Sequence, residues 1–112
     1  MPTLPFINTN TTKVLNLTTT TSTPVLLSNP DGTNGSLRLF NNSAVLLYVG
    51  FGPTSALAAA WAKVPTSGAP SRSLGIPAGA VEYLSFPFET TYVAGIANSG
   101  TGDLQVTEGK YN

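Results

Sequence analysis

The sequence predicts an all-β fold: an antiparallel β-sandwich or jelly roll of about seven to eight strands with one short helical segment. Three observations predict it. Short Leu-rich and β-branched segments recur along the 112 residues. Clusters of Gly, Pro, Asn, Asp and Ser divide them at the spacing of small sandwiches and barrels. No helices alternate with the strands, as a parallel sheet would demand.

Residues 1–12 hold two prolines and only Leu4, Phe6 and Ile7 to bury, so they read as an extended N-terminal arm, with a single sandwich domain over 13–112. "KVLNLTTTTSTPVLLS" supplies two strand segments, 13–18 and 23–28, around a Thr-rich turn or edge. "NPDGTNG", residues 29–35, is a strong turn signal, because Gly and Asn accept the positive φ that tight turns need. "SLRLFNN" and "AVLLYVGFG" then read as the two arms of a hairpin, about 36–52, at the centre of the sheet. "PTSALAAAWAKVP", 53–65, is the helical segment, with Ser55 as cap and Leu57, Trp61 and Val64 at near-helical spacing. "PTSGAPSRS", 65–73, reads as a mobile, exposed loop. The remainder is strand and turn, with "PAG" and "NSGTGD" as the turns.

Charged residues make up 9% of the chain, against roughly 25% in an average soluble protein. Five basic and five acidic residues are scattered singly and cancel, which leaves no basic patch for phosphates and argues against direct nucleic-acid binding. A net charge near zero favours self-association. The start lacks a basic and then long apolar leader, and no run reaches the length of a membrane span, so neither secretion nor a membrane partner is expected.

Chemistry is sparse. The chain has no His and no Cys, which removes the commonest general base, the thiolate nucleophile and the usual zinc ligands. Glu82 with Glu89, or Asp103 with Glu108, would be the available acid pairs, and each is more simply a solvated turn or strand-face residue. Asp31 in "NPDGTNG" brings too little charge for a calcium loop. The glycines of "VGFGP" and "GTGD" read as strand ends or bulges. Four Asn-x-Ser/Thr sequons are expected by chance in so Asn- and Thr-rich a chain. No enzyme, cofactor or metal is expected.

The informative stretch is "AVLLYVGFG". On a strand, Val45, Leu47, Val49 and Phe51 share one face and Leu46, Tyr48 and Gly50 the other, so both faces are apolar. Residues 81–97 repeat the pattern. A two-layer sandwich needs only one apolar face. At about 25 cal/mol per Å², a further patch of roughly 500 Å² supplies on the order of 10 kcal/mol before the cost of association. The expectation is that a second copy or another protein covers it, with Phe6, Ile7, Leu46 and Tyr48 as contact residues. The competing arrangement folds segment 53–64 over this face within one chain.

"LRLFNNSAVLLYVGFG", "LGIPAGAVEYLSFP" and "TTYVAGIANSGTGDLQVTEGKYN" also carry a resemblance. From about residue 36 to the end the chain resembles short tailed-phage proteins that share an "R-(I/V/L)-x-N" strand, a "V-x-x-G", a "PAG-x-x-E" and a Gly-rich "V-T-x-G" ending. The resemblance implies a virion structural component of the kind that decorates or cements the capsid, or else sits on the tail or portal assembly; the leading expectation is a capsid protein that bridges major capsid protein subunits. It would act as a homo-oligomer, dimer or trimer, on the capsid surface after assembly in the host cytoplasm. The alternative is a carbohydrate-binding or adhesin-type module of a tail or fibre assembly, acting through Trp61 and aromatics near it.

Overall fold

A computed structural model describes residues 6–27, 35–85 and 91–111, and the side chains of all these except 6–11, 110 and 111. Most of the "NPDGTNG" turn lies outside the described residues. The elements are β1 (Phe6–Leu17), β2 (Val25–Leu27), β3 (Gly35–Asn41), β4 (Leu47–Gly52), α1 (Ser55–Trp61), β5 (Leu74–Ile76), β6 (Val81–Ser85), β7 (Thr91–Ala97) and β8 (Gly102–Tyr111). The chain is the expected all-β sandwich with one short helix.

Its topology is more specific than a sandwich. One sheet has the order β1-β8-β3-β6 and the other β2-β7-β4-β5. The antiparallel pairs β1·β8, β2·β7, β3·β6 and β4·β5 are successive rungs of one long ribbon. Alternate rungs fall in opposite sheets, so the ribbon is rolled up: this is a jelly roll, and the β4–β5 connection is its closed tip.

Alternation along each strand fills the space between the sheets. Leu15, Leu17, Leu37, Leu39, Leu104 and Val106 from the first sheet meet Leu27, Leu47, Val49, Ile76, Val93 and Ala97 from the second. Gly95 belongs to this layer because a β-carbon there would stand 2.6 Å from Leu17 Cδ1, so the Leu17 side chain occupies its place. One charge is also inside: the Glu108 side chain is fully buried and receives Lys13 Nζ at 2.6 Å. The edges of the second sheet, β2 and β5, are three residues each, which leaves little ladder for stray pairing.

Several expectations are corrected. β3 and β4 are not a hairpin: they lie in different sheets, and residues 42–46 carry the chain across the sandwich. Alternation sets which way a side chain points, not which sheet a strand joins, and the crossing is fixed by Asn41. Its buried amide donates to the carbonyls of Val45 and Ile76, both at 2.8 Å, and accepts from Ser43 Oγ at 2.6 Å. The arm boundary at residue 12 falls inside β1, whose backbone pairs with β8 from Phe6↔Tyr111 onward with an irregularity between Asn8 and Thr12. Backbone pairing therefore brings Phe6 and Ile7 into the sheet; their side chains are outside the described set. The helix cap is Thr54, not Ser55: its Oγ1 accepts from Leu57 N at 3.2 Å.

The largest correction concerns the second apolar face. A helix of seven residues has little stability by itself and needs a surface. Ala58 and Ala62, one turn apart, press onto Gly50 and Gly52 of β4 and Ala94 of β7, with Tyr92 at the margin. The outer side of the second sheet is thus roofed at its centre by α1 of the same chain. Thr21 Oγ1 donates to the Ala62 carbonyl at 3.0 Å and ties the helix end to the β1–β2 connection. "VGFG" closes β4, as a strand end, and is also the floor on which the helix rests.

Candidate functional site

Leu26 of β2 and Leu57 of α1 stay exposed singly at the margins of the roof, and two larger surfaces stand out. The first is the outer face of the first sheet. Registers place Val14, Gln105, Phe40 and Val81 in one transverse row across β1, β8, β3 and β6. The next row is Thr12, Thr107, Arg38 and Tyr83. Val14 is 54%, Tyr83 49% and Val81 37% exposed, and Phe40 is half-buried with the Arg38 guanidinium 5.8 Å above its ring. On the other side of the apolar row Asp103 lies opposite Asn16. An anionic and a cationic residue therefore flank the row, each two residues from its centre along the strands.

The second surface is the ribbon tip. The β4–β5 connection, residues 53–73, holds α1 and then an irregular stretch over 62–73 that is built rather than slack. Thr66 and Ala69 exchange backbone hydrogen bonds of 3.1 and 3.0 Å around Ser67 and Gly68. Ser73 Oγ donates to the Lys63 carbonyl at 2.7 Å, and Ser71 Oγ stands 3.3 and 3.2 Å from the carbonyls of Trp61 and Lys63. The loop is exposed as predicted, but these bonds pin what the sequence reads as mobile. It encloses an open cavity of about 400 Å³ lined by Trp61, Lys63, Val64, Pro70, Ser71 and Arg72, among others. Arg72 lies over Trp61, with its guanidinium carbon 3.8 Å from the ring centroid.

The four contact residues of the sequence reading are not gathered in either place. Tyr48 of β4 sits on the outer face of the second sheet, where its ring covers Gly75 of β5, and Leu46 lies just before β4 at the end of the crossing, its carbonyl accepting from Asn98 N at 2.9 Å; both side chains are half-buried. Phe6 and Ile7 begin β1 in the opposite sheet. Sequence reasoning missed Val14 and Arg72. Val14 could have been found as the outward apolar residue next to the inward Leu15; a stacked Arg in a loop leaves no periodic signal. Among the described residues no group of three His, Cys, Asp or Glu side chains is placed to hold a metal ion. No family model and no curated protein matches the chain.

Proposed function

We propose that this chain is a structural protein of a tailed-phage virion, a decorating or cement protein that pairs through its first sheet and bridges major capsid protein subunits. The observation that carries the reading is the outward row of exposed Val14, half-buried Gln105 and Phe40, and exposed Val81, with exposed Tyr83 beside it. Contiguous apolar surface of this kind marks an interaction site. Its occupant is a second copy. A two-fold axis along the row lays the apolar residues of one molecule on those of the other, and brings each Arg38 over its partner's Asp103. An isologous interface requires that self-complementarity.

The resemblance over about residues 36–112 supports the virion assignment. The jelly roll recurs in viral capsid domains, which is support by fold alone. With the first sheets paired, the outer sides of the second sheets point away from the two-fold axis. Leu46 and Tyr48 of the two copies then lie at opposite ends of the dimer, and the two faces join capsid subunits standing on either side of it.

Light scattering and co-sedimentation with phage shells test both halves. The full chain is expected to form a dimer and to sediment with shells. Val14→Lys with Tyr83→Ser should give monomers; Leu46→Ser with Tyr48→Lys should leave the dimer and abolish shell binding. A wild-type monomer at all concentrations, or failure to bind any shell, would overturn the reading.

A further inference from the structure

The ribbon-tip cavity has no part in that assembly, and its lining is suited to a ligand. The described carboxylates Glu82, Asp103 and Glu108 all lie on the first sheet, whereas Lys63 and Arg72 both line the cavity of the β4–β5 connection. No salt bridge to either is formed among the described residues. Stacking on Trp61 fixes the plane of the Arg72 guanidinium and leaves its edge N–H groups for another partner, the arrangement that accepts a carboxylate in two parallel hydrogen bonds. Around the two cations the wall is apolar, from Trp61, Val64 and Pro70, and Ser71 adds a hydroxyl to it. The cavity volume of about 400 Å³ is within the roughly 300–1,000 Å³ of small-ligand sites.

From this combination we infer that the cavity binds an acidic saccharide, a sugar ring carrying a carboxylate. The carboxylate takes the Arg72 edge and the Lys63 ammonium. The C–H face of the ring lies on the apolar wall, and a ring hydroxyl reaches Ser71. A bare inorganic anion would use the cations but not the wall; a neutral sugar would use the wall but not the cations. Arg72 and Lys63 confer the specificity, and Trp61 both supplies apolar surface and holds Arg72 in place. This inference stands apart from the dimer and the shell, since the cavity shares no residue with either proposed interface.

The chain has one tryptophan, so its fluorescence reports on Trp61 directly. The full chain is titrated with a glucuronic acid trisaccharide, with the same trisaccharide reduced to neutral glucose units, and with inorganic phosphate, with calorimetry alongside. The expected result is a saturable change for the acidic trisaccharide only, weakened at least tenfold by Arg72→Gln and several-fold by Lys63→Gln. Circular dichroism and melting show that both variants keep the fold, and Arg72→Lys, which keeps the charge without the planar edge, is expected to recover only part of the affinity. Equal response to the neutral trisaccharide, equal response to phosphate, no saturation with any of the three, or full affinity in a folded Arg72→Gln chain would each overturn the inference.

Discussion

The backbone nitrogen of Ala62 stands 2.5 Å from the point at which a β-carbon on Gly50 would lie, with Trp61 C at 2.6 Å and Ala58 O at 2.8 Å around the same point. All three are backbone atoms, so no side chain can swing aside. Gly50→Ala must lift α1 from β4, at an overpacking cost of roughly 1–3 kcal/mol or more. Gly68, with nothing within 4 Å of its hypothetical β-carbon and no positive φ, is the control. Thermal melts should show Gly50→Ala falling by roughly 4–8 °C per kcal/mol and Gly68→Ala level or slightly raised.

That contact also shows what is and is not legible in the sequence. Strands and turns are, because alternation and turn chemistry are local: Gly79 of "PAG" and Gly100 of "NSGTGD" have φ of +74° and +60°, as their turns require. The doubled apolar faces of "AVLLYVGFG" signal that a cover is needed, but alternation says nothing of which segment supplies it. Gly50 and Gly52 two apart on a strand, then Ala58 and Ala62 four apart at a helix, are small faces matched to one another. That signal lies in the pairing of two segments and is invisible in either alone. The assignment of strands to sheets is hidden for the same reason, since Asn41 reaches Ile76 across 35 positions.

Asn41→Ala removes both donors that hold the crossing between the sheets. The Val45 and Ile76 carbonyls each lose a 2.8 Å bond and a small void opens in a fully buried site. A loss of about 3 kcal/mol follows from leaving buried acceptors short of partners. Urea unfolding should show a lower midpoint at unchanged slope, whereas Asn42→Ala at the adjacent exposed position should stay within about 0.5 kcal/mol of wild type.

Lys13 and Glu108 form an ion pair with very unequal burial, 30% and 0% exposed. Lys13→Met takes the cation from beside a carboxylate that stays inside the sandwich, and should cost roughly 1–3 kcal/mol, less than a wholly buried pair because Lys13 is partly solvated. Replacing both, Lys13→Met with Glu108→Leu, removes the buried charge as well. The double variant should recover stability relative to Lys13→Met in urea unfolding, and a double variant weaker than the single one would show that Glu108 stabilises the fold through its other contacts.

Arg38 and Asp103 permit the sharpest test of how two copies meet. Within one molecule they flank the apolar row on opposite sides, and only a two-fold partner brings one over the other. Arg38→Asp sets two carboxylates against each other at both ends of the dimer interface, and Asp103→Arg does the same with two guanidinium groups. Either single change should weaken association by at least tenfold, because like charges meet at both symmetry-related positions. The double exchange restores opposite charges and should restore the dimer, although each monomer then has its charges reversed. Sedimentation equilibrium at low and high salt would read all four proteins. Recovery in the double variant places Arg38 over Asp103 of a second copy; three equally weakened variants would mean that the side chains act within the monomer, and that the copies do not meet on this face.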